Sequence, residues 1–149
     1  MSKNTVTLHR VLKASPEKVF KAFSNTQAYA SWIPPYGFTC EVHHMDFKKN
    51  GTFKMSFTNF STGNGHSFGG EFLELKDGEL IQYSDTFDNP NLAGKMITTV
   101  TLKKVLCGTE INIIQENIPE AIPVEMCYLG WQESLEKLKK LAEPEIPDA

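Results

Sequence analysis

The sequence predicts an α+β domain: a curved antiparallel β-sheet of about six to seven strands, wrapped around one long C-terminal helix, with two short helices after strand 1. Three observations carry that expectation. Apolar residues alternate with period two through most of the stretch from Phe38 to Ile118, broken by turn dipeptides. From about Glu120 the period becomes 3.6. The length, 149 residues, suits one core that folds without disulfide or metal support. We therefore expect a single domain over residues 1–142 and a flexible tail over 143–149.

Thr5 to Lys13 alternates and is rich in β-branched residues, as an opening strand requires. Ser15-Pro16-Glu17 then marks a helix start, with a hydroxyl N-cap, proline at the first helical position and an acid in the first turn. Val19, Phe20 and Phe23 form its buried stripe. Asn25 caps a second short helix, which ends near Trp32 because Pro34-Pro35 cannot continue it. Strands follow over Phe38–Phe47 and through Phe53, Met55 and Phe57, with Asn50-Gly51 turning between them. After Gly63-Asn64-Gly65 comes a strand through Phe68, Phe72 and Leu75, where Gly69-Gly70 suggests a bulge or sharp bend. Asp77-Gly78 leads to Leu80–Phe87, and Cys107-Gly108 joins the last two strands, Lys95–Leu106 and Thr109–Ile118. In the closing helix Val124, Cys127, Trp131, Leu135, Leu138 and Ala142 make one apolar stripe. Glu133–Lys137 and Glu136–Lys140 stand as i,i+4 pairs on the other face.

Composition narrows the function. Apolar residues make up 40% and charged residues 22%, as in ordinary globular proteins, and the net charge of −3 gives no attraction to nucleic acid or anionic membrane. Cys40, Cys107 and Cys127 are odd in number and far apart, which suggests free thiols in a reducing cytoplasm. The N-terminus has no apolar signal segment and no run reaches membrane-spanning length, so a cytoplasmic protein is expected. His43 and His44 are adjacent on a strand and should point to opposite faces, and no metal-binding spacing occurs, so neither metal nor cofactor is expected. His66-Ser67 are likewise on opposite faces, and no nucleophile elbow is present.

The order of elements and several motifs resemble the helix-grip fold of the SRPBCC superfamily, which includes START-like and pollen-allergen-like proteins. Within it the chain is most similar to single-domain bacterial members of the activator of heat-shock protein 90 ATPase homologue-like family. The residues that carry this are Ser15–Phe23, Trp32 with Pro34-Pro35, Met45-Asp46-Phe47 with Asn50-Gly51-Thr52-Phe53, Gly70–Leu75, and Gly130–Leu138. What the resemblance implies is a START-like pocket for a hydrophobic ligand such as a lipid. It also implies an alternative, a stress-related co-chaperone contacting a heat-shock protein 90 ATPase, and a third, a cavity enzyme of cyclase or hydrolase type.

The residues themselves point to a space between sheet and helix, because a strongly bent sheet cannot meet one helix closely along its whole length. Phe53, Met55 and Phe57, Phe72, and Tyr83 share one face, continued by Val100 and Ile113, with Trp131 arriving from the helix. Asp85 follows Tyr83, and Gln115 follows Ile113, with the same parity, so both should point inward. An unpaired buried polar group costs about 1–3 kcal/mol, so such groups are paired, hydrated or met by a ligand. Trp32 and Cys127 complete the expected ligand-binding set. The expected function is non-catalytic binding of a small hydrophobic or amphipathic molecule by a monomer or homodimer. Asp85 with Tyr83 is the pair an enzyme would use.

Overall fold

The computed structural model describes residues 4–92 and 94–148; Ala149, the last residue of the expected tail, lies outside them. Strand β1 (Val6–Leu12) is followed by α1 (Pro16–Ser24) and α2 (Thr26–Trp32). Then come β2 (Phe38–Met45), β3 (Thr52–Asn59), β4 (Gly65–Lys76) and β5 (Leu80–Phe87). A 3-10 turn (Pro90–Leu92), β6 (Met96–Val105), β7 (Gly108–Glu116) and α3 (Val124–Ala142) complete the order. The caps are those the sequence suggests. Ser15 Oγ accepts the Lys18 N–H at 3.2 Å, and Asn25 Oδ1 accepts the Ala28 N–H at 2.9 Å.

All seven strands form one antiparallel sheet in the order β1-β7-β6-β5-β4-β3-β2. Every neighbouring pair is a sequential hairpin except β1 with β7, where Val6 lies opposite Gln115. This is the helix-grip arrangement: the sheet curls and α3 lies in its concavity. Register breaks fall at His43 and Leu73. They do not fall at Gly69-Gly70, where the sequence suggested one. Those glycines serve instead where strands crowd, since a Cβ on Gly70 would stand 1.8 Å from the Ser84 carbonyl oxygen.

The bulge at His43 overturns one expectation. The two histidines share the outer face, His43 Nε2 lying 2.7 Å from Ser56 Oγ and His44 Nε2 3.1 Å from Thr52 Oγ1. One extra residue in β2 shifts the alternation by one, so neighbours that should diverge point the same way. They remain on a solvated surface.

Helix α3 starts at Val124, later than the expected Glu120, because Pro119 and Pro123 break the preceding segment and Pro123 is its N-cap, without a side-chain capping bond. Leu135, Leu138 and Ala142, in its C-terminal half, are buried. Among the described residues, α3 brings its backbone close to β1, α1 and α2, and stands off from the other strands. The expected Glu133–Lys137 and Glu136–Lys140 ion pairs do not close. Glu133 Oε1 instead accepts the Tyr36 N–H at 3.1 Å, and Lys137 Nζ donates to the Pro34 carbonyl at 2.8 Å. With Ser134 Oγ donating to the Ile33 carbonyl at 2.6 Å, these bonds fasten the middle of α3 to the segment between α2 and β2.

Candidate functional site

Where α3 lifts off the sheet, a cavity of about 330 Å³ opens, at the lower end of the range of small-molecule sites. Its floor is the concave face of the sheet, with Phe53 and Phe57 from β3, Phe68 from β4, and Tyr83, Asp85 and Phe87 from β5. Met96 and Gln115 close one side, Ile33 and Pro35 another, and Met126, Cys127, Gly130, Trp131 and Ser134 of α3 form the roof. The strand residues reach the same space because residues i and i+2 share a face, and the hairpin registers place Phe68 opposite Phe87 and Phe72 opposite Tyr83. The rings meet at 4.9 Å (Phe57–Phe68), 6.0 Å (Phe68–Phe87) and 5.6 Å (Phe53–Tyr83), the offset and edge-on spacings aromatic pairs favour.

One wall is polar and connected. Trp131 Nε1–H donates to Gln115 Oε1 at 3.2 Å, and Gln115 Nε2–H donates to Thr98 Oγ1 at 3.3 Å. Tyr83 lies directly across the strand pair from Thr98, with Tyr29 close by. Burial pushes the Tyr83 and Tyr29 phenols well above their ordinary range, so both are neutral hydroxyls in the wall.

Asp85 is the exception. It is 6% exposed, and its Oδ1 is the one buried side-chain polar atom without a hydrogen-bond partner among the described residues. Burial pushes its carboxyl up to about 7. His66, at the cavity rim, is held below the usual imidazole range by partial burial. Among the described residues neither lysine nor arginine lines the cavity, and no cluster of His, Cys, Asp or Glu could hold a metal ion. The acid therefore faces rings, hydroxyls and a thiol, with no cation beside it.

Seven of the twelve residues singled out from the sequence meet at this cavity: Phe53, Phe57, Tyr83, Asp85, Gln115, Cys127 and Trp131. Met55 and Phe72 instead border a separate void of about 10 Å³, room for roughly one water. Trp32, Val100 and Ile113 are core residues that line neither space. Trp32 is wedged against Phe23 at 4.8 Å and donates its indole N–H to the Ala22 carbonyl at 2.9 Å, which holds it in the core. Val100 and Ile113 share the inward parity but are wholly buried, as core residues are. The sequence reading missed the other twelve lining residues, among them Tyr29, Phe38, His66, Phe68, Phe87 and Gly130. Phe68 and Phe87 could have been found, since they share parity with Phe72 and Asp85. Gly130 carried a different signal, a helix-weakening residue inside a strong apolar stripe.

The Activator of Hsp90 ATPase homolog 1-like protein family model matches residues 13–143. A crystal structure of a protein from Chromobacterium violaceum is 51% identical, with a TM-score of 0.95, and the match covers 97% of this chain and 100% of that one. A Rhodobacter sphaeroides protein shares the fold at 18% identity and TM-score 0.80, over 94% and 92% of the two chains. The AHSA1 protein of Silicibacter pomeroyi does so at 17% and 0.80, over 92% and 96%. No curated protein matches the chain significantly.

Proposed function

The chain belongs to the family of Activator of Hsp90 ATPase homolog 1-like proteins, and from that premise we propose that it binds a small hydrophobic or amphipathic molecule without transforming it. One observation carries the reading: the 330 Å³ space beneath α3 is walled chiefly by aromatic and aliphatic side chains and contains a few convergent polar groups. The fold supports a ligand-binding domain of this kind. The polar wall supports binding over turnover. Gln115 is engaged with Thr98 and Trp131, and among the described residues no serine, cysteine or histidine at the cavity is paired with a base that would activate it.

The test is thermal shift and native mass spectrometry against a panel of lipids, flavonoids and polyketide-like compounds, run beside Gly130→Phe. A Cβ at Gly130 meets nothing within 4 Å, so a large side chain there occupies the cavity and leaves the helix in place. Saturable stabilisation of the wild type that Gly130→Phe abolishes is the expected result. Equal stabilisation of both proteins puts the ligand elsewhere and removes the proposal.

A further inference from the structure

The chemistry of the cavity wall is one-sided. Three of its donors are directed at protein acceptors: Trp131 Nε1–H at Gln115, Gln115 Nε2–H at Thr98, and the Ser134 hydroxyl at the Ile33 carbonyl; His66, at the rim, has no such partner among the described residues. The group left without a partner is an acceptor, the Asp85 carboxylate, which lines the cavity and whose Oδ1 is buried and unpaired. Its cross-strand neighbour on β4 is Gly70, which places no side chain beside the carboxyl. The cavity it lines is also walled by Phe53, Phe57, Phe68 and Phe87, whose π faces carry partial negative charge, and among the described residues no lysine or arginine lines it. An anionic or acceptor-rich ligand would meet repulsion here. A cation bearing an N–H would satisfy the orphan oxygen and the ring faces together, since cation–π attraction is strongest in a desolvated site.

We propose that the cavity takes an organic cation: a protonated amine on a compact apolar or aromatic body, its N–H donating to the Asp85 carboxylate and its body lying among the phenylalanine rings. This rests on the cavity being a ligand site, and it adds the charge and donor character of the occupant. The groups facing Asp85 are Tyr83 on β5, Tyr29 on α2, Cys127 on α3 and His66 on β4 at the rim. The phenols and the thiol are held neutral by burial, and His66 is neutral above the ordinary imidazole range, so at mildly alkaline pH Asp85 is the charged group.

Phenethylamine, phenethyl alcohol and ethylbenzene form a matched probe series, titrated calorimetrically into wild type, Asp85→Asn and Gly130→Phe. At about pH 8 the amine should bind wild type at least about tenfold more tightly than the alcohol, as a charge-assisted bond requires. Asp85→Asn should remove that advantage and leave ethylbenzene binding unchanged. Lowering the pH to about 5.5 protonates Asp85 and should weaken the amine by about tenfold or more, while ethylbenzene is indifferent. If ethylbenzene binds as tightly as the amine, and Gly130→Phe blocks both, the cation assignment is wrong and the cavity reading stands. The cation assignment is equally wrong if the amine's advantage survives in Asp85→Asn. If none of the three binds wild type saturably, the cation assignment fails, and the wider panel then decides the cavity reading by itself.

Discussion

Replacing Asp85 with asparagine should make the ligand-free protein more stable, and by an amount that grows with pH. An aspartate in the unfolded chain titrates near 3.8, whereas burial moves this one to about 7 in the folded state. Between those values the folded protein holds a proton that the unfolded chain has released, so stability falls as pH rises through the window. Below about pH 4 the carboxyl is neutral in both states and contributes no difference. Above about pH 7 it is ionised in both, and the full shift of about three units, on the order of 4 kcal/mol, opposes folding. Asparagine keeps the shape and never ionises. The assay is denaturant unfolding of both proteins at intervals from about pH 4 to pH 8, read as the difference between the two free energies. His66, held below the usual imidazole range by burial, is present in both proteins, so its own contribution enters both curves. The difference should be near zero at the acid end and favour Asp85→Asn increasingly toward neutrality. A flat difference, or one that turns toward the wild type as pH rises, would mean the carboxylate is stabilised where it sits and would refute the reasoning from burial.

Other substitutions probe the roof and walls. Gly130→Ala should raise stability by up to about 1 kcal/mol, because glycine is the poorer helix former and the added methyl meets no neighbour; thermal unfolding reads this directly. Ser134→Ala removes the donor that satisfies the Ile33 carbonyl and should destabilise by about 1–3 kcal/mol, measured by chemical denaturation. Among the thiols, exposed Cys107 should be alkylated first. Cys40, pushed up to about 11 by burial, and Cys127, also raised by burial, should react far more slowly. Mass spectrometry of the modified peptides gives the order, and a cavity ligand should further protect Cys127 and leave Cys107 unchanged.

The fold was legible because it is built from two periods and clear punctuation. Period-two stretches separated by Asn50-Gly51, Asp77-Gly78 and Cys107-Gly108 give sequential hairpins, and the stripe ending in Leu135, Leu138 and Ala142 gives the covering helix. The inward direction of Asp85 and Gln115 was equally legible, since strand parity decides it. Depth along the strand was not. Val100 and Ile113 have the same parity as Tyr83 yet lie in solid core, and Met55 and Phe72 border only a small void. Where a residue falls depends on where the roof leaves the floor. That point is fixed by Glu133, Ser134 and Lys137 bonding to the segment Ile33–Tyr36, contacts about a hundred residues apart in sequence that no local pattern announces. The bulge at His43 was hidden for a related reason, since it depends on how β2 and β3 are registered and not on β2 alone.

The pairing of β1 with β7 has a consequence for biosynthesis. Val6 finds its partner in Gln115, so β1 has no mate until β7, the last strand of the sheet, has been made. The intervening hairpins can zip locally as they emerge, whereas this closure joins distant parts of the chain and is the entropically slow event. Gln115 also anchors the Trp131 indole, so the polar side of the binding chamber takes shape only after translation has passed α3, and a nascent chain stalled before that point carries an open, aromatic-lined trough.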